Sequence, residues 1–378
     1  MDINKSVSNY LISLIKATVQ DEMPVEKPED VSWSKLLELA HFHKVEEMAF
    51  YSITKLNDKP TDKDQSAWFS AHEKNQLVDV LQQEEHKLVV DAVTKAGIGI
   101  LPLKGIVLKP YYRMSLFREQ GDIDYMIEPG QIDDVVPIMT ELGYDAKDVG
   151  KEDSTDDYAK LPYMEVEMHR RLFPPTEENH WYTDDIWDRV RDNDENKYLK
   201  TLSWEDVYIY HLLHFEKHFS MGGSGIKYLV DHYLFKTKLK DRIDWDKVAE
   251  ILPTLNYVEL EKMMDELAEA WFGDGEMTEA LEEPAHFIIT SGAFGTFEHF
   301  QEWSYNRYKD ELGVKSKKGY FFKRMFMERE RMEFSYPILK KHGWLLPFLW
   351  VHRLFSKVFG NWGRVKRELD DFSKKDGK

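Results

Sequence analysis

A chain of 378 residues with 42% hydrophobic and 32% charged residues is long enough for two or three domains and apolar enough to bury cores, which excludes a disordered chain. Its net charge of −18 argues against a nonspecific nucleic-acid binder, because phosphate backbones demand an extended cationic surface. The lack of cysteine removes disulfides and thiolate metal sites, and no apolar run approaches the length that crosses a bilayer.

Helical spacing opens the chain, over residues 4–20 (Leu11, Ile12, Leu14, Ile15) and 33–55 (Leu36, Leu37, Leu39, Ala40). The start, Met1-Asp2-Ile3-Asn4-Lys5, does not read as a secretory signal, since the helix behind it is amphipathic and charged. With the missing cysteines this fits a cytoplasmic bacterial protein. A polar break at 57–64 containing Pro60 precedes a long helical pattern at about 65–96. The pattern then changes to short β-like runs near 98–103, 122–127, 143–147 and 161–169, with a helix at about 130–141. Gly150 to Asp157 reads as a hairpin or surface loop.

Helices return after Pro174-Pro175. Ser203 is placed to cap one, with Asp206 in its first turn. Gly222-Gly223-Ser224-Gly225 reads as a flexible break before the next helix from Ile226, and further helices are expected at 244–252, 257–271, 276–290 and 295–312. Residues 315–378 carry seventeen Lys or Arg against seven Asp or Glu, about +10, which leaves about −28 on residues 1–314. This basic tail is expected to dock on the acidic body or to be a solvated face. The aromatic segment Trp344 to Val351 is too short to span a membrane, and core packing is expected over a membrane-surface role.

The chemistry concentrates in the β-like runs. In Gly121-Asp122-Ile123-Asp124-Tyr125-Met126-Ile127, an extended backbone sends alternate side chains to one face, so Asp122 and Asp124 project together about 7 Å apart. Like charges so close repel, and a cation between them removes the penalty; Mg²⁺, which favours a few carboxylates plus substrate phosphates, is the usual candidate. The run from Leu161 to Met168 puts Glu165, Glu167 and His169 on one face. If it pairs beside the first strand, Glu167 or Glu165 completes a carboxylate triad. Upstream, Lys104-Gly105 sits between a strand and a short helix ending near Tyr112, where a missing side chain lets backbone N–H groups approach phosphate. Lys104 adds a point charge, and Arg118 is placed to clamp a phosphate oxygen. His211, His214 and His218 share a helix face, but one helix rarely supplies a complete zinc site, so core or substrate contact is the expected role.

The ordered set Leu103-Lys104-Gly105, Arg118 with Asp122-Ile123-Asp124, then Glu167-Met168-His169 resembles a poorly characterised bacterial nucleotidyltransferase family of the polymerase β-type superfamily. His214-Phe215-Glu216-Lys217-His218, Gly222-Gly223, Ile226-Lys227, Asp231, Tyr336-Pro337, Leu345-Leu346-Pro347 and Arg353 extend the resemblance from about His41 to Arg353. Superfamily members often carry Gly-Ser at the phosphate turn, where this chain has Lys-Gly, and Asp as the third carboxylate, where it has Glu. Glu167 fits the pattern better than Glu165.

The resemblance implies an α+β fold, a small mixed-sheet nucleotidyltransferase core flanked by helical regions. The expected division is an N-terminal helical region at 1–96, the α/β core at 97–200, and a helical domain with the basic tail at 201–378. It further implies Mg²⁺ or Mn²⁺ on Asp122, Asp124 and Glu167, with these three as the catalytic set. An NTP donor, ATP first, would be held by Lys104, Gly105, Arg118, Lys217 and Lys227, with Asp231 also facing the cleft; for Lys217, Lys227 and Asp231 the alternative is helix packing and local ion pairs. The acceptor would be a hydroxyl on a small molecule, peptide or protein, and nucleic acid is disfavoured by the charge. Replacing Asp122 or Asp124 by Ala is then expected to abolish transfer and leave folding nearly intact. The alternative is a regulatory or interaction module that binds nucleotide on the same fold with little catalysis. An Asp-nucleophile phosphatase fits poorly, because Met126 occupies the position where such enzymes carry a hydroxyl.

Overall fold

The computed structural model describes residues 4–150, 155–175, 177, 179–296, 299, 300, 329, 332, 336, 338–350 and 352. Residues 1–296 form one compact unit, and residues 297–378 form a second. The expected helix at 295–312 and most of the basic tail lie outside the described residues.

The first unit begins with four helices, α1 (Lys5–Gln20), α2 (Trp33–His43), α3 (Glu46–Lys55) and α4 (Asp62–Lys95). The single helix expected over 33–55 is two, because Lys44 adopts the left-handed conformation (φ 56°) and ends α2. The sheet region follows: β1 (Ile100–Pro102), α5 (Gly105–Leu108), β2 (Ile123–Ile127), α6 (Val135–Glu141), β3 (Asp145–Asp148), β4 (Thr155–Lys160) and β5 (Met164–His169). After the short α7 (Trp181–Asp184) and a two-stranded ribbon, five helices complete the unit. These are α8 (Trp204–Met221), α9 (Ile226–Thr237), α10 (Trp245–Leu255), α11 (Val258–Phe272) and α12 (Glu279–Ser291). The Ser203 hydroxyl accepts from the Asp206 N–H at 3.1 Å and caps α8 as its sequence position predicts.

The five strands form a mixed sheet in the order β1-β2-β5-β4-β3, with β2 and β5 parallel and the other pairs antiparallel. This is the expected α+β architecture. Of the two readings of Gly150 to Asp157, hairpin or surface loop, the hairpin is the one found, since β3 and β4 pair antiparallel across it, with β4 as a strand outside the expected β-like runs; the strand expected over 161–169 starts at Met164 because 161–163 form the β4–β5 turn. The polar sequence Thr155-Asp156-Asp157 hides this strand, since Asp is depleted in sheets. Asp156 is fully buried there, and Arg170 Nη2 at 3.0 Å and the Gly150 N–H at 3.0 Å satisfy it.

The period of two divides the sheet between two cores. Ile123, Tyr125 and Ile127 of β2, with Val166 and Met168 of β5, pack with Val89, Val90 and Val93 of α4 and Val135 and Met139 of α6. On the opposite face Met126 joins Leu101 and Leu103 in a larger core shared with α1–α3 and α8–α12. The residues expected to be boundaries, 96 and 200, fall within the unit that this larger core unites. Asp124, Glu167 and His169 alternate with the first set, so their side chains emerge on the face that looks toward α8 and α9.

In the second unit Trp344 and Phe348 are 68% and 66% exposed, with their ring centroids 6.2 Å apart. This corrects the expectation of core packing for these two rings. Among the described residues, no helix is long and apolar enough to cross a membrane.

Candidate functional site

Parallel pairing of β2 with β5 sets Asp124 opposite Glu167 and Met126 opposite His169. Asp124 is only 5% exposed. Its Oδ1 accepts from Lys104 Nζ at 2.5 Å and lies 2.9 Å from His169 Nε2. One ligand atom from each of Asp124, Glu167 and His169 lies within 4.8 Å of the others, the one group of three or more found among the described residues that can hold a metal ion. Asp122, just before β2, lines the same cleft, close enough for its charge to raise the Glu167 carboxyl. Glu165 projects from the same strand but lines a separate depression beside Lys160 and Tyr163.

The electrostatics follow from the crowding. Burial raises the Glu167 carboxyl to about 8, and the neighbouring charges of Asp122 and Asp124 push in the same direction. Burial also opposes ionisation of Asp124, but the Lys104 ammonium and the His169 hydrogen bond outweigh it and hold the carboxyl well below its usual range. Two acids adjacent in register are thereby driven apart, one firmly ionised and one retaining its proton near neutrality.

Lys104 is placed by an unusual backbone. It carries φ 54° and ψ −124° at the turn from β1 into α5, a region costly for a residue with a Cβ. That turn aims its side chain across β2. Gly105 follows in the first helical position, and a Cβ there would meet Gln120 Oε1 at 2.5 Å. Arg118 also lines the cleft, but Asp231 engages it: Nε donates at 2.8 Å and Nη2 lies 2.8 Å from Oδ2. The Tyr112 hydroxyl donates to the same carboxylate at 2.5 Å. Arg118 therefore reaches the cleft as half of a buried ion pair and not as an unopposed cation.

The helical wall supplies two further cations. Lys217 of α8 lines the cleft with its Nζ 5.3 Å from the Phe173 ring centre, and burial lowers its pKa. Lys227 of α9 is buried, and burial followed by the Arg118 charge lowers it to about 8. His214 and His218 line the same wall with Nε2 atoms 3.1 Å apart. Burial holds both imidazoles in the neutral form, His218 at about 4. Together these elements enclose a cleft of about 630 Å³, large enough for a nucleotide-sized ligand. All eight residues expected at the site, Lys104, Gly105, Arg118, Asp122, Asp124, Glu167, Lys217 and Lys227, line it.

The sequence of residues 29–273 matches the model of a family described as uncharacterised nucleotidyltransferases. The chain belongs to this family. The matched region contains the whole sheet and every residue of the acidic cluster, so the family assignment and the cleft coincide. It supports the general class, an enzyme that uses a nucleoside triphosphate in group transfer. Comparison with curated proteins and with solved structures gave no match.

Sequence reasoning did not assign His169 as a ligand, although its period-two relation to Glu167 was visible in Glu167-Met168-His169. Nor did it find the Arg118–Asp231 pair, whose partners stand 113 residues apart.

Proposed function

We propose that this chain moves a nucleoside monophosphate from a nucleoside triphosphate, ATP foremost, to a hydroxyl-bearing acceptor and releases pyrophosphate. The observation that carries the reading is the convergence of Asp122, Asp124 and Glu167 on one cleft, where burial, and after it the charges of Asp122 and Asp124, raise the Glu167 carboxyl. A cluster that repels itself this strongly fits a bound cation. Oxygen donors from three carboxylates suit Mg²⁺ or Mn²⁺, and His169 adds a nitrogen that the second tolerates well. Such ions, when bound, polarise the phosphates and stabilise the attacking and leaving oxygens.

The protein groups account for the remaining work. An acceptor hydroxyl attacks the α-phosphorus, the bond from the α-phosphorus to the bridging oxygen breaks, and pyrophosphate departs with that oxygen. The hydroxyl proton would pass to Glu167, which can act as a base only in its ionised form, reached once a bound cation offsets its burial and the charges of Asp122 and Asp124. Lys104, Lys217 and Lys227 offset charge on the triphosphate and on the leaving group. Arg118, fixed by Asp231, contributes a positive wall.

Incubation with nucleoside triphosphates labelled at the α-phosphate, in the presence of Mg²⁺ or Mn²⁺ and a cell extract, tests the reading. Label transferred from the α-position with release of pyrophosphate supports it. Transfer of a γ-label identifies a kinase instead, and tight nucleotide binding without pyrophosphate from any acceptor identifies a binding module.

A further inference from the structure

Phe294 is an apolar side chain with an unusual placement. Its ring is 69% exposed, yet it lines the cleft that holds the acidic cluster. A side-chain carbon on Gly121, the residue before Asp122, would lie 3.8 Å from the tip of the ring. Lys227 Nζ stands 5.5 Å from the ring centre. The ring thus borders a buried cation and the turn that leads into Asp122, in the cleft that holds the carboxylates, while most of its own surface stays open.

The backbone beneath the ring is built tightly. The Ala293 N–H donates to the Phe42 carbonyl at 2.8 Å, and the Thr296 N–H donates to the Gly222 carbonyl at 3.1 Å. Gly292 and Gly295 flank the segment with φ of 68° and 71°, the left-handed region in which glycine is favoured. A Cβ on Gly225 would meet Ala293 Cα at 2.7 Å, so the loop before α9 and the loop after α12 are packed backbone to backbone. The segment Gly222 to Gly225 is therefore a close-packed support and not the flexible break its composition suggests. Two loops are locked together, and the side chain they hold out buries little of itself. Phe294 also lies beyond residues 29–273, outside the region matched by the family.

We propose that Phe294 is the stacking platform for the base of the donor nucleotide. This rests on the nucleotidyl-transfer reading and names how that site holds its substrate. A base laid on the ring would direct its phosphates into the cleft, toward Lys227 beside the ring and the carboxylates that line the same cleft. Every base has a π-face, so the platform favours nucleotides over bare polyphosphate without selecting one base by hydrogen bonding.

Calorimetric titration of the full chain in Mg²⁺ buffer with ATP and with inorganic tripolyphosphate tests this, using wild type, Phe294→Ala and Phe294→Tyr. Stacking on an aromatic ring contributes enough that Phe294→Ala is expected to weaken ATP binding by about tenfold. Tripolyphosphate affinity stays unchanged, and Phe294→Tyr binds ATP as wild type does. Equal ATP affinity in wild type and Phe294→Ala overturns the platform and leaves the transfer reading standing. So does an equal loss for both ligands, or a tyrosine variant no better than alanine. A wild-type protein that binds neither ligand overturns the transfer reading and the platform together.

Discussion

Asp124 and Glu167 stand opposite one another on the parallel β2–β5 pair, yet their carboxyls titrate in opposite directions. Lys104 and His169 compensate the first, while Asp122 and Asp124 crowd the second. The two positions therefore respond oppositely to loss of charge. Glu167→Gln removes a repulsion, so thermal unfolding in chelator is expected at or above the wild-type temperature while transfer is lost. Asp124→Asn strands a largely buried Lys104 ammonium and is expected to cost about 3 kcal/mol in urea unfolding. Asp122 is partly exposed, so its replacement is still expected to leave folding nearly intact, whereas for the buried Asp124 that expectation is revised.

At Lys104 the side chain and the backbone make separate contributions. Both Lys104→Ala and Lys104→Gly lose the contact with Asp124, but only glycine relaxes the φ of 54°. The glycine variant is expected to be more stable than the alanine variant by about 1 kcal/mol in urea denaturation. Transfer should fall equally in both, because neither carries the ammonium.

The Arg118–Asp231 pair is nearly excluded from solvent, with side chains 7% and 1% exposed. Asp231→Asn leaves a buried guanidinium without its counter-charge and is expected to destabilise by about 3–5 kcal/mol. Adding Arg118→Met should recover much of that loss in chemical denaturation but not restore nucleotide affinity.

The sequence made the acidic cluster readable because strand alternation is local: Asp122-Ile123-Asp124 and Glu167-Met168-His169 each display their period within a few residues. Most helices were readable for the same reason. β4 was not, since Asp156 belongs in a sheet only once Arg170 folds over it. The pairing of Arg118 with Asp231 and the locking of the Gly222–Gly225 loop under Ala293 join distant segments, and no local pattern encodes them. Phe294 reads as an ordinary hydrophobic residue until its exposure is known.

His43 gives the stability a defined acid limb. It is fully buried, with Nε2 3.0 Å from the Ile289 carbonyl and Nδ1 accepting from the Ile226 N–H at 3.3 Å. Burial lowers its pKa from 6.5 to about 4. The unfolded chain therefore takes up a proton first, so this contribution is present above pH 6.5 and is lost as pH falls through about 4. A shift of this size corresponds to about 3 kcal/mol. Urea unfolding from pH 7 to pH 4 should show a decline that includes this contribution, and His43→Gln should make it shallower by about that amount, leaving the share of other buried imidazoles such as His214 and His218.

On the proposed function the three carboxylates share divalent ions with a nucleotide. Titration of Mn²⁺ followed by electron paramagnetic resonance, with and without ATP, tests it in wild type, Asp122→Asn, Asp124→Asn and Glu167→Gln. ATP is expected to tighten Mn²⁺ binding to wild type, and each substitution is expected to weaken the ternary complex by at least about tenfold. Mn²⁺ and ATP binding to all three folded variants as tightly as to wild type would contradict it.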